Sequence, residues 1–294
     1  MKHPIPVRQQ LQEQAYANVP IDISKADMHT AIEQYTDYLT LDESYHAASR
    51  FLLGNRGDGD YGQFTREIGK ETLRGKAQDN KDIFHFGSMS RQVIESRISG
   101  RLPKAMQTFL NSAEELFWSA ERSKRDAVAE LDVAGSGLLK IMQPETAMLN
   151  DVLRFIAYYP GADTLAKGHF DRSTATLALG ESHEGLRMTP GQNARAREVN
   201  KAYMQELQDS LEPVTHHDGE AKFFLGAGWN RLQPEYRKSN ENLQLAWHDV
   251  VSSDQTVNDK IARWAIVLFA NPNRDHAGYE APSTTETRPY KSFN

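Results

Sequence analysis

The chain has 294 residues, 39% of them hydrophobic and 25% charged, with a formal net charge of −6. That balance suits a globular protein long enough to bury a real core, and it offers no basic excess to nucleic acid and no Lys/Arg cluster to a membrane surface. There is no cysteine, which excludes disulfides, thiolate metal sites and a cysteine nucleophile; a metal here must be held by His, Asp or Glu.

The first residues carry no apolar stretch like a signal peptide, and no later run approaches membrane-spanning length, so a cytoplasmic protein is the expectation. Ser24 followed three residues later by Asp27 predicts a helix start, with Met28, Ala31, Ile32, Tyr35 and Leu39 on one face. Gly54 to Gly62 reads as a turn-rich loop. Pro103 can open a long helix whose Met106, Phe109, Leu110, Ala113 and Phe117 recur at helical spacing.

Near residue 150 the texture changes. Val152 to Tyr159 stops at Pro160, Thr174 to Leu179 stops at Gly180, and Lys222 to Leu225, Leu243 to Trp247 and Ala262 to Phe269 follow as short strand-like runs. Short strands in series suggest a sandwich or barrel, the jelly roll included. Thr189-Pro190 reads as a helix opening, with Val199, Ala202, Tyr203, Leu207 and Leu211 on one face of an inserted helix over 190–212. The stretch from Asn271 is polar, a tail or a lid over a site. The reading is an α+β fold in a single domain, 1–294: a mainly helical region 1–149, a jelly-roll core 150–270 and a tail 271–294.

One constellation carries chemistry. Non-haem iron(II) is commonly held by two imidazoles and one carboxylate on one face, which leaves open positions for other ligands. Residues two apart on a strand point to one side, and His169-Phe170-Asp171 has that spacing, with His248 as a distant third ligand. A lone histidine is more often a surface or hydrogen-bonded residue. The second pair of this spacing, His216-His217-Asp218, lies in a polar turn that would bury a metal poorly.

Taken in order, the motifs resemble the isopenicillin N synthase-like branch of the iron(II)/2-oxoglutarate oxygenases. They are Leu153-Arg154 with Tyr158-Tyr159-Pro160, His169-Phe170-Asp171, the Thr174 to Leu179 run, Gly185-Leu186-Arg187-Met188, Phe223 to Trp229, Trp247-His248-Asp249-Val250 and Arg263-Trp264-Ala265. The set spans residues 150 to 270; Val19 to Ile23 and Asp82 to Gly87 resemble that family's helical leader more loosely. The resemblance implies a double-stranded β-helix and a dioxygenase that uses iron(II), 2-oxoglutarate and O2 to hydroxylate or desaturate a small molecule, with no nucleic-acid or membrane partner. It implies His169, Asp171 and His248 as iron ligands, Arg263 as the grip on the distal carboxylate of 2-oxoglutarate, and Tyr159 as a second contact to that carboxylate. Arg187 and Arg172 are candidate substrate contacts, and Arg195 and Arg197 would stand on a lid.

The chain departs from that pattern at Ala265, where the family has serine, and in two long gaps, Asp171 to His248 and His248 to Arg263. Ala265 leaves open an iron oxidase of the same fold that takes no 2-oxoglutarate. A core ion pair is the other reading of Arg263, and a non-catalytic jelly-roll binding protein or a cupin-like hydrolase or isomerase are the remaining readings of the chain.

Overall fold

The structure is a computed structural model. It describes residues 5–52, 60–66, 71–72, 75–76, 80–133, 135–143, 149–161, 164–191, 201–238, 240, 242–252, 256–258 and 260–273. The elements run α1 (Val7–Glu13), β1 (Ala17–Pro20), α2 (Lys25–Leu39), α3 (Glu43–Ser49), β2 (Phe51–Leu52), β3 (Asp60–Arg66), β4 (Glu71–Thr72), β5 (Gly75–Lys76), β6 (Lys81–Phe86), α4 (Ser90–Arg97), α5 (Lys104–Leu131) and α6 (Leu138–Met142). The second half adds β7 (Val152–Tyr158), β8 (Thr164–His169), β9 (Ala175–Glu181), β10 (Leu186–Gly191), α7 (Lys201–Asp209), β11 (Glu212–Pro213), β12 (Glu220–Leu225), β13 (Leu245–Val251) and β14 (Arg263–Ala270).

The strands form two layers of a jelly roll. The larger runs β2-β3-β6-β7-β14-β9-β12 with β1 at its far edge; the smaller is β11-β10-β13-β8. They join where β12 meets β13 at Leu225 and Leu245. Their inner faces meet: Leu165 of β8 packs with Ile83, Ile156, Tyr158 and Ala265 of the larger sheet, and Val250 of β13 joins them.

The outer face of the larger sheet carries the helices. In α2, Ser24 and Asp27 form a capping box, which satisfies backbone donors that a helix start leaves orphaned. Pro103 stands at the start of α5, as its fixed φ favours. Tyr35 and Tyr38 of α2 meet Phe109 of α5 and Phe84 of β6 in a ring cluster with centroids 4.9–6.3 Å apart. Deleting a ring there, as in Phe109→Ala, costs about 3–5 kcal/mol. Lys124 of α5 is fully buried between Glu121 and Asp151, and Asp151 also accepts from the Asn271 N–H at 2.6 Å. That charged cluster ties the helix to the start of β7 and the end of β14.

Two local expectations change. Asp60, Tyr61 and Gly62 belong to β3, not to a loop, because pairing with β2 and β6 overrides the glycine-rich composition; 53–59 lie outside the described residues. Thr189 and Pro190 lie in β10, opposite Trp247 and Ala246 of β13, and the described part of the helix is α7, Lys201–Asp209. Pro190 stands next to the last residue of its strand, where a missing N–H costs little. Residues 192–200, with Arg195 and Arg197, and 274–294 lie outside the described residues. No helix among the described residues is long and apolar enough to cross a membrane.

Candidate metal centre

β8 and β13 run antiparallel and set His169 directly opposite His248, with ring centroids 4.4 Å apart. Asp171 follows just past the end of β8. Its Oδ1 lies 3.4 Å from Nε2 of His169 and 3.6 Å from Nε2 of His248. The three atoms fall within 4.8 Å of one another. Two ligands about 2.1 Å from a first-row metal and at right angles to each other are about 3 Å apart, so a small inward shift would seat an ion. Asp171 and His248 are buried, whereas the His169 side chain is 42% exposed, which marks the open side of the site.

The atoms that do not converge are tied down. Nδ1 of His169 lies 2.7 Å from the Lys167 carbonyl, and Nδ1 of His248 lies 3.3 Å from the Ala246 carbonyl. Protonated Nδ1 atoms donate to these carbonyls, so both Nε2 lone pairs face inward; such outer bonds commonly set ligand tautomers at metal sites. Thr176 donates to Oδ2 of Asp171 at 2.8 Å, and its oxygen also lies 2.9 Å from the Ser173 hydroxyl. That leaves Oδ1 to face the histidines.

Backbone bonds also hold the turn bearing Asp171. Ala227 N–H donates to the Asp171 carbonyl at 2.7 Å, Gly226 to Thr174 at 3.1 Å and Gly228 to Ser173 at 3.0 Å. A Cβ on Gly226 would lie 2.3 Å from the Ser173 carbonyl oxygen, and one on Gly228 would lie 2.7 Å from it. Only glycine permits this approach. Thr176 and the two glycines are site residues that the motif reading passed over; the glycines bracketing Ala227 directly after an apolar strand were the available signal.

Electrostatics follow from burial and pairing. Burial alone would raise Asp171, but the facing His248 and His169 outweigh it and hold the carboxyl well below the usual range. Burial pushes His248 down to about 4, so it is a neutral imidazole at pH 7. For His169, partial desolvation works downward, but the hydrogen bond and charge of Asp171 outweigh it and shift the imidazole upward.

Arg263 is buried at the start of β14 and directly opposite Tyr158 of β7, so the two share the inner face. Its Nη2 pairs with Glu181 of β9, while its Nη1 is buried with no hydrogen-bond partner among the described residues. Tyr159 is corrected. Alternation turns it to the helix side, where its hydroxyl hydrogen-bonds Asp82, itself held by Gln63 and Thr65. The tyrosine on Arg263's face is Tyr158, 5.7 Å from ring centroid to guanidinium.

The other candidates disperse. Arg187 makes a two-point pair with Asp249 at 2.9 and 2.6 Å, and Asp249 alternates outward beside His248. Arg172 is exposed. His216 is buried rather than solvated, with Nε2 3.3 Å from the Ala178 carbonyl and Nδ1 3.4 Å from Glu181, while Asp218 accepts from the N–H of Lys25 at 2.6 Å. His216 and Asp218 therefore face different partners and do not form a second metal pair.

No family model matches the sequence, and no curated protein is significantly similar to it. Solved structures are similar in fold. A full-length Neurospora crassa protein in complex with alpha-KG and thymine superposes with a TM-score of 0.62 at 14% identity over 95% of this chain and 84% of that one. Dioxygenase for auxin oxidation 1 from Arabidopsis thaliana, bound to 2-oxoglutarate, gives 0.59 at 12% identity over 95% and 92%. JOX2 in complex with 2OG, Fe and JA gives 0.60 at 15% identity over 95% and 75%. The chain thus has the jelly-roll fold of the 2-oxoglutarate/iron(II) oxygenases.

Proposed function

We propose that the chain is an iron(II)- and 2-oxoglutarate-dependent dioxygenase that hydroxylates or desaturates an unactivated C–H bond of a small molecule. One observation carries this reading: inside an oxygenase-type barrel, two Nε2 atoms and one Oδ1 converge while every opposite ligand atom is held by another group. Two imidazoles and one carboxylate suit iron(II), and they occupy one face of it. The small-molecule class is supported by the similar structures, one holding thymine and another JA.

His169, Asp171 and His248 would hold the iron. Bound iron supplies the activation of O2 coupled to conversion of 2-oxoglutarate to succinate and CO2. Asp171 offsets part of the metal charge, and Thr176 keeps its second oxygen from turning inward. Nη1 of Arg263, without a hydrogen-bond partner among the described residues, suits an incoming carboxylate, which a guanidinium fork binds through two parallel N–H groups. Val250 packs both with the cluster around Phe224 and Met188 beside His248 and with the cluster around Tyr158 and Ala265, so Arg263 and the ligands open on one interior.

The test is succinate formation from 2-oxoglutarate by iron-loaded protein. The reading expects its loss in His169→Ala; intact production there would refute it. A second reading, an iron oxidase of this fold without 2-oxoglutarate, is favoured by Ala265 and by the Glu181–Arg263 pair. O2 uptake independent of 2-oxoglutarate would select it.

A further inference from the structure

Glu181 faces inward because of a β-bulge. On β14, Val267 pairs with Ala178 and Ile266 with Gly180, which leaves Leu179 as an extra residue in β9. The extra residue reverses the alternation, so Glu181 stands opposite the inward Ala265. Gly180 instead faces out, where a Cβ would lie 2.8 Å from the Met28 sulfur.

Glu181 uses one carboxylate oxygen on Arg263 and leaves the other, Oε1, buried without a hydrogen-bond partner among the described residues. The remaining Arg263 bond, from Nε to the His183 carbonyl, is long at 3.4 Å. His216 Nδ1, also unpartnered, lies 3.4 Å from Oε1. With the His216 Nε2–H directed at the Ala178 carbonyl, Nδ1 is an acceptor, so two acceptors face each other. The cluster satisfies Arg263 only in part, and it blocks the two-point grip that a second carboxylate needs.

We infer that Glu181 is a resident counter-ion that must leave Nη2 of Arg263 before the distal carboxylate of 2-oxoglutarate can be gripped, which makes Glu181 a determinant of cosubstrate affinity and selectivity. This inference rests on the function proposed above. A buried cation demands an anion, and here the chain supplies its own. Binding a dicarboxylate exchanges one carboxylate for another and gains less than binding to an unpaired arginine. A 2-oxo acid lacking the second carboxylate leaves Glu181 in place and bears no such cost.

The experiment is calorimetric titration of anaerobic iron(II)-loaded protein with 2-oxoglutarate and, separately, with 2-oxobutanoate, for wild type, Glu181→Gln and Arg263→Ala. Glu181→Gln should bind 2-oxoglutarate at least about tenfold more tightly, a modest value for coupled buried charges, with 2-oxobutanoate unchanged. Glu181→Asp, which draws the carboxylate back while keeping the charge, should show a smaller gain in the same direction and serves if Glu181→Gln does not fold. Unchanged or weaker 2-oxoglutarate binding in the folded variant, with Arg263→Ala still impaired relative to wild type, would overturn the counter-ion role alone. Absence of 2-oxoglutarate binding in wild type and in both Glu181 variants would overturn the underlying function as well.

Discussion

His169 and His248 are direct cross-strand partners, so the facing imidazole pair is set by the register between β8 and β13 and not by either strand alone. A one-residue slip would turn one imidazole to the other face. The centre therefore depends on whatever fixes that register and on whatever holds the Asp171 turn beside it.

Thr176 tests the second dependence. Thr176→Val keeps the buried volume but removes the donor to Asp171 Oδ2. Iron(II) affinity should fall about 10–100-fold, as for other outer-shell partners of metal ligands. Metal titration together with a melting curve checks this; unchanged affinity would mean that Asp171 is oriented by the turn alone.

Gly226 probes the turn directly. Gly226→Ala places a methyl 2.3 Å from the Ser173 carbonyl oxygen, so backbone must move. Overpacking of this kind costs about 1–3 kcal/mol. Urea denaturation should register that loss, and metal affinity should fall with it. A variant as stable as wild type would show that the contact relaxes freely.

Tyr158 and Tyr159 separate by role. Tyr159→Phe loses a hydroxyl bonded to Asp82, which keeps Gln63 and Thr65. Stability should drop by about 0.5–1.5 kcal/mol, with 2-oxoglutarate affinity unaltered in the same titration. A clear loss of cosubstrate affinity in Tyr159→Phe would return that residue to the site.

His216 gives a pH dependence. Burial, reinforced by Lys222, pushes it down to about 4. The folded value lies below the ordinary value of about 6.5. This contribution is therefore intact above about pH 6.5 and lost as pH falls toward 4, at about 1.4 kcal/mol per pH unit within that window. Denaturation midpoints for wild type and His216→Gln, compared at pH 7.5 and 5, should show the steeper acid loss in wild type. Parallel losses would contradict the assignment.

Legibility followed the range of the determining interactions. The capping box at Ser24, the Pro103 start of α5 and the His169/Asp171 spacing are local, and a sequence carries them openly. β8 was missed because Thr-Leu-Ala-Lys-Gly-His has little strand preference and becomes a strand by pairing with β13. Thr189-Pro190 reads locally as a helix opening, yet the β13 ladder makes it strand. The faces of Tyr158 and Tyr159 could not be told apart without register against Arg263. Glu181 was invisible as a site residue because its inward turn depends on a bulge that no period-two pattern announces. His216 stands among polar neighbours but is buried by its contacts with Glu181 and the Ala178 carbonyl.

The most direct measurement of the central claim is an anaerobic titration of the protein with iron(II) and then 2-oxoglutarate, followed by visible absorption. A weak charge-transfer band should appear only when both are present, be lost in His248→Ala and form with weakened affinity in Arg263→Ala. Iron binding without that band would contradict the use of 2-oxoglutarate, and a band that persists in His248→Ala would contradict the metal centre.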